Sequence, residues 1–143
     1  VAPKVDKSDS EWQQELSPTQ FKVLRKEDTE RAGTGPLNNE KRDGTYRCAG
    51  CHAELFSSEH KYESGTGWPS FSDVADDGHV GTKKDRKLFM TRTEVHCDVC
   101  GGHLGHVFDD GPQPTGQRYC MNSAAMEFVP QGSDEAVPGA NDV

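Results

Sequence analysis

Two Cys-x-x-Cys pairs constrain this chain more than any other feature. Cys48-Ala49-Gly50-Cys51 and Cys97-Asp98-Val99-Cys100 each present two thiolates from one tight loop. Zinc takes four soft ligands at tetrahedral corners, and two such knuckles complete that shell. Gly50 lies inside the first knuckle and Gly101-Gly102 follows the second, so each loop can fold around an ion. Disulfides would need an oxidising compartment and would leave an odd cysteine among the five. A redox Cys-x-x-Cys sits at a helix start in a βαβ context, which is not visible here. The expected cofactor is one structural Zn2+ on Cys48, Cys51, Cys97 and Cys100. Zinc ribbons place about 15–20 residues between their pairs. Here 45 residues separate Cys51 from Cys97, so the metal joins distant parts of one domain.

The rest of the composition makes such a staple useful. Val, Leu and Phe amount to 23 of 143 residues, and there is no Ile. That is below the roughly 20% at which charged chains tend to lose their core. Structural zinc can contribute about 10–16 kcal/mol to folding. The net charge of -8 argues against binding nucleic acid through its phosphates. No apolar run reaches the roughly 20 residues of a membrane span.

Residues 1–9 read as a flexible arm, 10–130 as a single domain and 131–143 as a flexible acidic tail. Ser10 to Lys26 reads as helical, with Ser17-Pro18 as a helix start. Gly33-Thr34-Gly35-Pro36 ends that character. Short strands are predicted at Thr45–Arg47, Lys87–Thr93, Arg118–Asn122 and Glu127–Val129, separated by glycine-rich loops. The fold class expected is mainly β, with long functional loops and short helices before them.

Cys120 is the fifth cysteine. Alone it reads as a small buried hydrophobe. Arg118 and Asn122 share its face in a strand, and a cation with an amide donor would favour thiolate. His103 and His106 offer proton or hydrogen-bond donors. Trp68, between Gly67 and Pro69 and followed by Phe71, suits a core position or one wall of a small apolar pocket.

Taken in order, four stretches resemble the methionine sulfoxide reductases of the B type. They are Tyr46–Cys51, Ser64–Phe71, His96–Phe108 with Asp109-Asp110-Gly111-Pro112, and Arg118–Ser123. The resemblance runs from about Ser17 to Pro130. It implies two antiparallel sheets with peripheral N-terminal helices, stapled by the four-cysteine zinc site. It implies Cys120 as the nucleophile, with His103, His106 and Asn122 lining the catalytic pocket and Arg118 and Asp110 supporting it. Trp68 would pack on the substrate's methyl group, with Phe71 beside it. The substrate class implied is methionine-R-sulfoxide in proteins and peptides. Thiolate attack on the sulfoxide sulfur would leave Cys120 as sulfenic acid.

Many members carry a resolving cysteine where this chain has Thr66. An external reductant, thioredoxin or another thiol, is therefore expected. A cytoplasmic monomer with no nucleic-acid or membrane partner completes the expectation. Two rivals remain at this stage: a protein-binding zinc module with an inert Cys120, and a general thiol peroxidase.

Overall fold

The computed structural model describes residues 5–76, 78–87 and 90–143. It is mainly β, as expected. Two helices lead the chain, α1 (Asp9–Glu15) and α2 (Pro18–Lys26). The single helical stretch read from sequence is split at Leu16-Ser17. Each helix has its own capping box, from Ser8 and Glu11 in α1 and from Ser17 and Gln20 in α2. Pro18 disfavours helical backbone at the residue before it, and Ser17 is accordingly extended, with φ -66° and ψ 162°.

Among the described residues ten strands follow: β1 (Gly44–Cys48), β2 (Glu54–Ser57), β3 (Lys61–Tyr62), β4 (Ser70–Phe71), β5 (Val80–Lys87), β6 (Met90–Cys97), β7 (His103–Phe108), β8 (Arg118–Met121), β9 (Met126–Pro130) and β10 (Val137–Pro138). They form a four-stranded sheet, β10-β9-β1-β2, and a six-stranded sheet, β3-β4-β8-β7-β6-β5. All pairings are antiparallel. The strand expected at Lys87–Thr93 is instead the meeting of two strands, with Lys87 opposite Met90. Leu88 and Phe89, part of that expectation, lie outside the described residues. Strand β5 went unseen because its Lys-rich, polar sequence shows no apolar alternation. An edge strand facing water needs none.

Aromatic side chains join the sheets. Phe71 of the larger sheet stacks on Phe56 at 4.4 Å and meets Tyr46 edge-on at 4.9 Å. Tyr46 in turn packs on Phe128 at 4.8 Å. All four rings are fully buried, each contributing about 1.5–3 kcal/mol of hydrophobic stabilisation.

Val5 and part of the 131–143 segment bond to the body. The Val5 N–H donates to Val99 O, and Val5 packs against the core. In residues 131–143, Val137-Pro138 extends the smaller sheet as β10. Gly139 N–H donates to Met126 O, and Ser123 Oγ donates to Gly139 O. A Cβ at Gly139 would stand 1.8 Å from Ser123 O, so only glycine permits this approach. Local composition carries no sign of such long-range bonds. Among the described residues no helix is long and apolar enough to cross a membrane.

Candidate active site and metal centre

The two knuckles are near copies of one another. In each, the residue after the second cysteine has a left-handed backbone and donates its N–H back to the carbonyl of the first. His52 N donates to Cys48 O at 2.9 Å, and Gly101 N to Cys97 O at 2.8 Å. Their φ values are 67° and 77°. His52 holds this position without being glycine, and its Nδ1 lies 2.8 Å from Glu127 Oε2, which also takes Arg47.

The knuckles converge. Cys48 and Cys100 Sγ are 3.7 Å apart, and Cys51 and Cys97 Sγ are 3.5 Å apart. All four sulfurs lie within 4.8 Å of one another. A tetrahedral ion with bonds of about 2.3 Å would set its sulfurs about 3.8 Å apart. The set therefore fits a metal ion, and none of these cysteines is disulfide-bonded. Helices α1 and α2 brace it: Arg25 lies over the Trp12 ring and donates to Cys100 O, and Trp12 packs against Gly50.

Cys120 lies elsewhere, on the face of the larger sheet. One residue from each strand forms a row across it. Tyr62 is opposite Ser70, Ser70 opposite Cys120, Cys120 opposite His106, His106 opposite Glu94, and Glu94 opposite Lys83. Residues paired across a sheet point to the same face. Above this row is a cavity of about 320 Å³, whose walls include Thr66, Trp68, His106, Arg118, Cys120 and Asn122.

His103 and His106 are three apart, which in a regular strand would send them to opposite faces. The pairing of β6 with β7 shifts here: Val95 is opposite Gly105 but His96 is opposite His103. Leu104 is the extra residue of the bulge, and it returns His103 to the face of His106. The two rings sit 5.5 Å apart. The Leu104 carbonyl accepts both the N–H and the side-chain amide of Asn122, at 2.8 and 3.0 Å.

The structure moves several sequence-read residues from their expected places. His103 is 3% exposed and is not in the cavity wall; it stands behind His106. Phe71 is not beside Trp68 in the pocket. It is in the core, because Ser70 takes the site-facing parity in β4. The Asn122 side chain is held by main-chain partners and not by the thiol among the described contacts. Its Nδ2 serves Leu104, and its Oδ1 accepts from Glu30 N–H at 3.0 Å.

Arg118 is held by Asp110 in a two-pronged contact of 2.8 and 3.2 Å and lies over the Phe108 ring. Burial pushes the Cys120 thiol above its ordinary value, and Thr66, Arg118 and Ser70 pull it only part of the way back. Burial thus favours the thiol over the thiolate expected from its neighbours.

Three residues escaped the sequence reading. Glu30 accepts the Trp68 indole N–H on its carbonyl at 3.0 Å, donates to Asn122, and takes Ala124 N–H on its carboxylate at 2.8 Å. Asp85 lies 3.1 Å from His106 Nε2. Glu94 lies 3.6 Å from His103 Nδ1. None sits in a motif, and the two acids reach their histidines only through strand pairing.

The family model described as the SelR domain matches residues 16–130, most of the chain. The chain belongs to the methionine sulfoxide reductase B family. A peptide methionine sulfoxide reductase MsrB of Leptospira interrogans is 56% identical over 125 residues, covering 87% of this chain and 95% of that protein. One from Methanosarcina barkeri is 55% identical over 124 residues, 87% of each chain. One from Bradyrhizobium diazoefficiens is 53% identical over 128 residues, 90% of this chain and 92% of its own. This MsrB-family chain is accordingly placed among oxidoreductases, with its matched region holding both the cysteine cluster and Cys120.

Proposed function

We propose that this MsrB-family chain reduces methionine-R-sulfoxide in peptides and proteins to methionine, with Cys120 as the nucleophile. The observation that carries the reading is the placement of Cys120 on the floor of a cavity walled by Trp68 and His106. The cavity suits a thioether side chain: the indole offers the methyl group an apolar wall. The Glu30 main chain keeps that wall and Asn122 in register.

In the reaction Cys120 sulfur bonds to the sulfoxide sulfur as a proton reaches the sulfoxide oxygen; the hydroxyl then passes to Cys120 sulfur as the sulfur–sulfur and substrate sulfur–oxygen bonds break, leaving an electron pair on the substrate sulfur. The products are methionine and Cys120 sulfenic acid. The substrate sulfur gains two electrons and the cysteine loses them. Arg118, steadied by Asp110, favours the attacking thiolate, and His106 faces it across the sheet. Substrate entry displaces water and brings the sulfoxide oxygen to these donors.

The four other cysteines are gathered in the cluster, so an external thiol such as thioredoxin reduces the sulfenic acid. Zinc is the ion proposed for Cys48, Cys51, Cys97 and Cys100. Its closed four-thiolate shell supplies structure and leaves no position for substrate. A monomer in a reducing compartment such as the cytoplasm fits this thiol chemistry.

The test is reduction of resolved R and S peptide sulfoxides with dithiothreitol, by the chain and by Cys120→Ser. Turnover of R alone, lost in the variant, is expected. Inactivity on both epimers by folded, metal-loaded protein would overturn the reading in favour of a binding module.

A further inference from the structure

Behind the pocket lies a second group of titratable residues to which the reaction above assigns no role. Glu94 is 2% exposed and His103 is 3% exposed, and they meet with Glu94 Oε2 3.6 Å from His103 Nδ1. Glu94 also stands directly opposite His106 in the row that holds Cys120. Its carboxyl is thus flanked by both histidines. From β5, Lys83 approaches at 3.7 Å and Asp85 adds negative charge. From the end of α2, Glu27 brings a carboxylate oxygen within 4.8 Å of the Glu94 carboxylate and the His103 ring.

A buried carboxyl within a sheet is expensive, and an apolar side chain of similar size would fold better. Its position suits a different task. The reduction uses one proton at the sulfoxide oxygen in each turnover, and a buried imidazole gives up its proton easily unless a carboxylate holds it.

Resting on the reductase reading above, we propose that Glu94 is a positioning residue: it anchors His103 through Nδ1 behind His106 and keeps a proton in the buried histidine layer of the site at neutral pH. It acts through the histidines and does not touch substrate. Desolvation, with Glu27 and Asp85 nearby, holds its own carboxyl up at about 7. A carboxyl held there takes up or releases a proton within the working pH range, as a relay requires.

The experiment compares wild type, Glu94→Gln and Glu94→Asp in reduction of a peptide R-sulfoxide from pH 6 to 9. Nitrogen-15 spectra of the His103 ring are recorded alongside. In Glu94→Gln the basic limb of the kcat profile should move down by about one pH unit, and kcat at pH 8 should fall about tenfold. KM should stay within about twofold, since the substrate is not touched. Glu94→Asp should restore part of the profile. Wild-type His103 should carry a proton on Nδ1 at pH 7. Unchanged kcat profiles in Glu94→Gln, or a bare His103 Nδ1 in wild type, would overturn the proposal. The spectrum of wild type decides even if a variant fails to fold. A wild type inactive on both epimers would instead refute the reductase reading, a separate outcome.

Discussion

Thr66 Oγ1 lies 3.9 Å from Cys120 Sγ, on one side of the pocket that both residues line. Intact mass after one turnover without reductant should therefore show Cys120 gaining one oxygen, or the adduct of a sulfenic-acid trap. In Thr66→Cys the oxygen should be lost again as an internal disulfide forms. A Cys120 disulfide in the unaltered chain would contradict this.

The thiol itself can be titrated by its alkylation rate against pH, since thiolate is the reacting form. Burial dominates at Cys120, so the midpoint should lie above that of an ordinary thiol. Arg118→Met removes a cation that lowers it and should move it higher still. A wild-type midpoint below 8 would show that the neighbours outweigh burial.

Metal removal should unfold the domain, because the cluster joins the end of β1 to the turn between β6 and β7. One zinc per chain is expected by elemental analysis. Circular dichroism with a strong chelator should show loss of the β signal, and Cys97→Ala should show the same loss. Structural zinc is worth about 10–16 kcal/mol, more than most domains have in reserve. A chelated chain with an unchanged thermal midpoint would refute a structural role.

Glu94 makes stability depend on pH in a defined direction. Its carboxyl is held at about 7 in the folded chain against an ordinary value of 4.5. The folded state therefore keeps a proton that the unfolded chain releases. Stability contributed by this group is full below pH 4.5 and falls as pH rises through 7, by up to roughly 3 kcal/mol. Glu94→Gln should melt higher than wild type at pH 8, by roughly 5 °C or more, with the gap closing at pH 4.5. Parallel melting curves at the two pH values would count against it.

The four-cysteine cluster and the separate thiol of Cys120 are legible in the sequence because each is carried by residue type and short spacing. Parity was harder. Ser70 and Phe71 are neighbours, and nothing local says which one faces the site and which one stacks on Phe56. The shared face of His103 and His106 depends on a bulge at Leu104 that the sequence does not announce. Asp85 and Glu94 were invisible for a further reason: their partners lie across strands, and β5 reads as a solvated charge run.

Strand order has a consequence for when the site comes into being. β8, which carries Cys120, is the last strand of the larger sheet to be synthesised, yet it sits between β4 and β7 near its middle. Until it inserts, β4 and β7 have no partner on their facing edges, and the walls around the thiol do not exist. A nascent chain thus has no assembled pocket until residue 121 has left the ribosome.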